Sequence, residues 1–304
     1  MSRSTHNSRM PQELRDLFTA QGGVATSAQI LDHLSRRGMQ RELKNGEMVR
    51  IWPGIYSLGA PSTAIRLKGL DLRCGEHVAV CLGTAAAIFG FDTEDSPDLH
   101  VLNPVGHLLR AGPGLVVHRR DGAPLTSFRG RRLTTAPWTA IEVARSLRRP
   151  RALATLDAAL RSCACDRNDL VAASKAQAGR RGIVMVRELI PLARSEAESA
   201  MESEARLVML DGGLEEPVLQ HQIIDRDGRV WRVDFAWPDR LVAVEYDGFE
   251  WHSSSATLRR DRQKRAALEE LGWRVMSIVS DDVRRQPLAM VRRIDAHLNR
   301  IAAA

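Results

Sequence analysis

Residues 241–246 read Leu-Val-Ala-Val-Glu-Tyr, an almost unbroken apolar run closed by Asp247-Gly248. A run that short and that apolar is a strand buried on both faces, which demands a sheet with helices packed over it. Yet the strand ends on acids, Glu245 and Asp247, and Asp234 sits inside the preceding strand, Arg232-Val-Asp-Phe-Ala236. Side chains at i and i+2 share a strand face, so Glu245 and Asp247 point the same way, roughly 6–7 Å apart. The turn at Pro238-Asp239 is short enough for the two strands to pair and bring Asp234 alongside. Carboxylates at a buried strand end are costly unless compensated. Hard divalent cations are the usual compensation, because Mg²⁺ takes carboxylate oxygens and keeps several waters. Such an ion polarises a phosphodiester, lowers the pKa of an attacking water and stabilises the leaving oxygen. The plainer reading of Asp234 is a turn cap or a partner for Arg232.

The flanking pattern completes an α/β domain from residue 196 onward. A helix at 196–210 precedes strands at 217–224, 230–236 and 241–246. A helix at 255–271 ends at Gly272, a strand follows at 273–279, and a last helix runs over 287–301. Four of the six tryptophans (Trp231, Trp237, Trp251, Trp273) lie here. Three read as core, and Trp251 is the one expected to touch a ligand. Arg259, Arg260, Arg262 and Arg265 on the 255–271 helix form either a solvated face or, beside a carboxylate pocket, a surface that draws in phosphates. Gln220 reads as a partner for backbone or a neighbouring acid.

At the other end, residues 11–59 read as three short helices and a hairpin. Leu14, Leu17 and Phe18 make one stripe, Thr26 or Ser27 caps the second helix, and Pro53-Gly54 joins two strands. This is the layout of a winged helix, whose third helix enters the major groove. Arg36, Arg37, Arg41, Lys44 and Arg50 cluster where DNA would lie. The alternative is a winged helix used for protein contacts. Residues 70–195 are less informative, with short strands at 78–81, 99–102 and 115–118 and helices at 84–89, 137–146, 152–160 and 169–178.

Composition narrows the function classes. Forty-four Lys+Arg against 37 Asp+Glu give a net charge of +7, a moderate excess that favours an anionic partner, nucleic acid first. Only four of the basic residues are lysines, so Lys264, the one lysine after residue 195, is conspicuous. The polar start lacks the apolar core of a secretory signal, and the uncharged stretch at 78–91 is too short to span a bilayer. Cys74, Cys81, Cys163 and Cys165 make no C-x-x-C pair, which leaves buried thiols in a reducing cytoplasm rather than a zinc ribbon or a disulfide framework.

Two resemblances sharpen this reading. Gly23-Val-Ala-Thr26 and Arg50-Ile-Trp-Pro-Gly-Ile-Tyr56 resemble the winged-helix domain that opens the type IV abortive-infection antitoxins, and the order of elements at 70–195 is similar to their second domain. Met201-Glu-Ser203, Gln220, Val233-Asp-Phe235, Glu245-Tyr-Asp-Gly248, Trp251-His252, Asp261 and Gly272-Trp-Arg-Val275 resemble the PD-(D/E)XK nuclease fold, closest to its very-short-patch-repair branch. That likeness implies metal binding by Asp234 and Glu245, a third carboxylate from Glu202 in preference to Glu204, and a pocket completed by Asp247 and His252. The family usually places lysine two residues after the second acid, where this chain has Asp247. His252 is favoured as the substitute acid or base, having the side chain whose ordinary pKa is nearest neutrality. Lys264, three residues after Asp261 and on the same helical face, is kept as a phosphate clamp or stand-in.

The resulting expectation is an α/β chain of four parts. A flexible tail at 1–10 precedes a winged-helix DNA-binding domain at 11–65 and an α+β middle domain at 66–195. A restriction-endonuclease-like three-layer α/β/α domain with a mixed sheet fills 196–304. The leading function is a Mg²⁺-dependent (or Mn²⁺-dependent) DNA endonuclease for repair or defence against foreign DNA, contacting DNA through Arg36, Arg37, Arg41, Lys44, Arg50, Trp251, Arg260 and Arg262. The product ends implied by the likeness are 5′-phosphate and 3′-hydroxyl. Expected context is the cytoplasm, at the nucleoid, with no membrane contact; a homodimer and a toxin partner stay open. Two rivals stand: a DNA-binding regulator of antitoxin type whose nuclease fold is not catalytic, and a nuclease directed at RNA.

Overall fold

The computed structural model describes residues 10–91, 94, 96–119, 122–248 and 255–299, with side chains omitted at 255–258. These residues fall into two compact units, one built from the chain up to Cys81 with Ser96–Thr134, the other from Leu82–Asp95 with the chain after Thr135. The middle domain expected at 66–195 is therefore divided between them.

The first unit opens as the sequence implies. Leu14 and Phe18, one turn apart on α1 (Gln12–Ala20), are fully buried with Ala25 of β1 (Val24–Thr26), Ile30 of α2 (Ser27–His33), Met39 of α3 (Arg36–Lys44) and Met48 of β2 (Met48–Trp52). Thr26 caps α2 reciprocally: its hydroxyl accepts from the Gln29 N–H at 3.2 Å while Gln29 Oε1 accepts from the Thr26 N–H at 2.9 Å, satisfying donors that a helix start leaves open. With β3 (Ile55–Leu58) the strands form an antiparallel sheet in the order β1-β3-β2. Gly54 turns the hairpin at φ +77°, a conformation that glycine adopts without steric cost. Helix α4 (Thr63–Cys74) packs closely on this wing: a Cβ at Gly69 would lie 3.0 Å from Ile55 and 3.2 Å from Trp52. The rest of the unit is a parallel pair, β4 (Leu99–Leu102) and β5 (Leu115–His118), and a hairpin, β6 (Leu125–Phe128) and β7 (Arg131–Thr134). The strand expected at 78–81 is reduced to isolated bridges from Val80 to Val101 and Leu133.

In the second unit α5 (Leu82–Phe89), α6 (Ala136–Ala144), α7 (Arg149–Arg161), α8 (Arg167–Ala176) and α9 (Ile183–Leu189) share an apolar core rich in alanine. That core continues into α10 (Ala200–Asp211) through Leu207, while Ala205 and Met209 of the same helix face a sheet. The sheet has the order β11-β10-β9-β8, from β8 (Val218–Ile224), β9 (Val230–Trp237), β10 (Val242–Tyr246) and β11 (Arg274–Ile278). β10 pairs parallel with β11 and antiparallel with β9, so the sheet is mixed. One face packs on α10 and on α13 (Pro287–Leu298), which follows α12 (Ser280–Arg284). On the other, Ala236 and Ala243 meet Leu268 of α11 (Ser255–Glu270). The apolar run at 242–244 is fully buried, as a strand covered on both faces must be. The result is the three-layer α/β/α domain expected from 196, with its leading helix starting at Ala200 rather than 196 because Ser199 caps it.

Candidate active site

β9 and β10 pair as Trp237↔Val242, Ala236↔Ala243 and Phe235↔Val244; one step further along this register, Asp234 stands opposite Glu245. Ala236 and Ala243 face α11, and the alternation of strand side chains carries Asp234 and Glu245 to that same face. The Tyr246 N–H donates to Asp234 Oδ2 at 2.8 Å, so the carboxylate takes over where the ladder opens. From α11, the Lys264 ammonium ion-pairs with Glu245. Burial pulls the Lys264 pKa below its ordinary value, against the opposing charge of Asp234 and assisted by Arg232. Asp247 is exposed at the strand end, its N–H donating to the Ile278 carbonyl at 2.8 Å. Asp234, Glu245, Asp247, Asp261, Arg262, Lys264, Arg265 and Ser277 line one open cavity of about 470 Å³.

Behind Asp234 lies Gln220. It occupies the register position opposite Asp234, between Leu219↔Phe235 and His221↔Val233, and has φ +48°. A left-handed non-glycine residue inside a strand costs on the order of 1 kcal/mol or more. Here that conformation accompanies an amide aimed into the site: Nε2 donates to Glu202 Oε2 at 2.9 Å and approaches Asp234 Oδ1 at 3.4 Å. Its Oε1 is buried without a hydrogen-bond partner.

Glu202 is 8% exposed, and burial raises its pKa, with the Asp234 charge adding to the effect. Its Oε2 also accepts from the Glu198 N–H at 2.9 Å, while Ser199 Oγ accepts from the Glu202 N–H at 3.1 Å. Glu202 thus closes a Ser-x-x-Glu arrangement at the start of α10 and reaches Asp234 through Gln220. Of the three acids expected to hold a metal, Glu202 meets Asp234 through the Gln220 amide, and among the described residues no group of three or more His, Cys, Asp or Glu side chains is placed as a metal cluster. What faces the cavity is the pair Asp234 and Glu245. An oxygen-only pair beside an open cavity suits Mg²⁺ or Mn²⁺, since Mg²⁺ is commonly held by one or two carboxylates with water and substrate phosphate completing its shell.

Glu204, the rival of Glu202, is 1% exposed and serves structure. Arg151 of α7 donates to it at 3.0 Å and Arg284 of α12 at 2.8 and 3.0 Å. Arg232 pairs with Glu198 at 2.7 Å and leaves Asp234 to the site. Arg265 bonds Ser277 Oγ at 3.2 Å. Ser277 was not singled out from sequence; its signal is a small polar residue within β11, in register with Glu245. Arg260 and Arg262 are exposed on α11, and only Arg262 of the two lines the cavity. Trp251 and His252 lie outside the described residues. In the other unit, Arg36, Arg37, Arg41 and Lys44 are exposed along α3 and Arg50 on β2, with Arg41 paired to the buried Glu42 at 3.1 Å.

A model of the AbiEi antitoxin C-terminal domain matches residues 78–192, and the restriction-endonuclease model REase_MTES_1575 matches residues 223–298. Two Mycobacterium tuberculosis proteins, uncharacterized protein MT2308 of strain CDC 1551 and uncharacterized protein Rv2248 of strain H37Rv, are each 52% identical over 271 residues. The match takes in 89% of this chain and 100% of each relative. The chain belongs to their family. It carries an AbiEi-antitoxin-like domain and a restriction-endonuclease-like domain, the two-part architecture that its motifs resemble. The second match includes Asp234, Glu245, Asp247 and Lys264 but begins after Glu202 and Gln220. Among the described residues, no helix is long and apolar enough to cross a membrane.

Proposed function

We propose that this protein is a metal-dependent DNA endonuclease that hydrolyses phosphodiester bonds, acting at the nucleoid in the cytoplasm in repair or in defence against foreign DNA. The observation that carries this reading is the convergence of Asp234, Glu245 and Lys264 on one open cavity whose rim holds Arg262 and Arg265. Asp234 and Glu245 would hold a Mg²⁺ or Mn²⁺ ion, which when bound supplies Lewis-acid polarisation of the phosphate and a lowered pKa for water. Arg262 and Arg265 present guanidinium groups suited to the phosphodiester oxygens. Lys264, partly desolvated, orients the attacking water or neutralises charge on the scissile phosphate. Gln220, tied to Glu202, fixes Asp234. The winged helix would bring DNA to this domain through α3 and Arg50.

The test is cleavage of single-stranded, duplex, mismatched and branched DNA, with RNA alongside, in Mg²⁺ or Mn²⁺. Asp234→Asn and Glu245→Gln should each abolish cutting while DNA binding persists. A second reading, a non-catalytic regulator of antitoxin type, is favoured by Asp247 at the family's usual lysine position. DNA binding that needs no metal, with no cutting of any substrate, decides for that reading.

A further inference from the structure

The first unit holds a second cavity, of about 740 Å³, between the wing and the loop that precedes β5. That volume lies within the range of small-molecule sites, roughly 300–1,000 Å³. Three arginines line it, Arg50 from β2, Arg73 from α4 and Arg110 from the loop. Among the described residues, none of the three guanidinium groups has an ion-pair or hydrogen-bond partner. The rest of the lining is apolar: Ile51, Pro53, Leu109 and Pro113, with the edge of the buried Trp52. Unpaired arginines are ordinary on a surface, but three converging on one apolar hollow leave a concentrated positive charge with nothing to neutralise it.

The walls are fixed. Arg66 of α4 lies over the Trp52 ring, 5.3 Å from its centroid, and the Trp52 indole N–H donates to the Arg66 carbonyl at 2.9 Å. The same guanidinium donates to the Pro97 carbonyl at 2.9 Å and to that of Gly114. The loop is braced by Asn103, which donates to the His107 carbonyl at 2.6 Å and accepts from the Leu109 N–H at 2.9 Å. Arg66 and Asn103 thus hold the cavity open, while Arg50, Arg73 and Arg110 stay free to bind.

Guanidinium groups recognise phosphate oxygens through paired N–H donors, and an apolar concave wall suits the flat ring of a base. We propose that this cavity binds a nucleotide, its phosphate on Arg73, Arg110 and Arg50 and its base against the apolar lining of Ile51, Pro53, Leu109 and Pro113. The nucleotide can be a free one or one unit of a nucleic-acid strand. The proposal does not rest on the carboxylate site of the second unit; it shares Arg50 with the winged-helix DNA contact, and Arg73 and Arg110, which that contact does not use, separate the two in the test.

The test uses the full chain. Of the six tryptophans only Trp52 lies among residues 1–134, so an emission change that is lost in a Trp52 variant reports the site. Titration is with nucleoside monophosphates of the four DNA bases, with a short single-stranded oligonucleotide, and with inorganic phosphate, followed by calorimetry and fluorescence. Wild-type protein should bind at least one nucleotide ligand more tightly than phosphate alone. Arg73→Ala/Arg110→Ala should weaken it by ~10-fold or more, and Ala111→Trp, which crowds the hollow, should do the same without lowering the unfolding temperature. Trp52→Phe should abolish the fluorescence change, which assigns that change to this cavity. Binding of free nucleotides identifies a diffusible ligand; binding of the oligonucleotide alone, with the same sensitivity, identifies a strand. Equal affinity for phosphate alone, no binding of either nucleotide source, or variants that bind like wild type would overturn the proposal.

Discussion

Arg206 on α10 and Asp157 on α7 form an ion pair in which both side chains are 0% exposed. Arg206 Nη2 donates to Asp157 Oδ2 at 2.8 Å and Nη1 to the Leu192 carbonyl at 2.7 Å, while Asp157 Oδ1 accepts from the Arg194 N–H at 2.8 Å. Burial pushes the Asp157 carboxyl up, and the Arg206 charge is the largest influence holding it down. Arg206→Met keeps most of the stem volume but strands that carboxylate in a dry core. Breaking a buried pair from one side typically costs about 3–5 kcal/mol, a large share of the ~5–15 kcal/mol that holds a domain folded. Replacing both partners, as in Asp157→Leu/Arg206→Met, removes the buried charges together and should return stability to within ~1 kcal/mol of wild type. Urea unfolding read by circular dichroism and tryptophan emission measures both. The pair joins a helix of the antitoxin-like segment to the leading helix of the nuclease-like domain, so both probes should report one transition for the second unit. A single variant costing under ~1 kcal/mol, or a double variant no more stable than the single, refutes the reasoning.

Three further outcomes are expected. Lys264→Met should lower the cleavage rate by ~10²–10⁴-fold without weakening metal binding; a wild-type rate removes Lys264 from the chemistry. His118 is 3.0 Å from His100, and burial followed by the His100 charge depresses its pKa. A histidine depressed in the folded state contributes stability above its unfolded pKa of about 6.5 that is lost as pH falls from there through the lower folded value. The unfolding temperature of the first unit should therefore drop as pH falls below about 6.5, and His118→Asn should flatten the dependence; parallel curves for the two proteins contradict it. Gly182, at φ +83°, would place a Cβ 2.2 Å from the Arg145 carbonyl. Gly182→Ala should cost about 2–4 kcal/mol in urea unfolding, and a loss below ~0.5 kcal/mol counts against the close approach.

β10 was legible because a strand buried on both faces leaves no polar alternation to misread, and the wing because its caps and the Pro53-Gly54 turn are local signals. The β6–β7 hairpin was not. Its strands are short and largely polar, and its turn is Arg129-Gly130, at φ +48° and +72°, rather than the Asn-Gly that a primed turn favours. The division of the chain was illegible for a different reason. Helix α10 faces two cores, Leu207 toward the helices and Ala205 and Met209 toward the sheet, yet in sequence it reads as one helix opening a new domain. At the site, the strand acids could be found by parity, whereas the left-handed turn of Gln220 has no sequence signal. Glu202 is a sharper case. Ser199-x-x-Glu202 is a capping pattern legible in sequence, and that local role is why the carboxylate is committed to backbone and Gln220 instead of joining Asp234 and Glu245 directly.

The absent strand lysine bears on function through charge rather than chain position. A lysine at residue 247 would share the strand face of Glu245 by the i, i+2 rule; here Asp247 is exposed there, and Lys264 reaches Glu245 from α11 instead. Both routes put one ammonium beside the two carboxylates, which is what stabilising charge at a phosphodiester requires. They differ in coupling. A strand lysine is held by the sheet, whereas Lys264 depends on how α11, through Leu268, sits over Ala236 and Ala243. The cavity lining also carries four carboxylates against three cationic side chains, so a bound cation relieves an excess of negative charge that Asp247 itself creates. Asp247→Lys should therefore weaken metal binding, and it should rescue cutting in Lys264→Met if position on the chain is immaterial. Failure of that rescue, with the fold intact, would show that the helix contributes more than a charge.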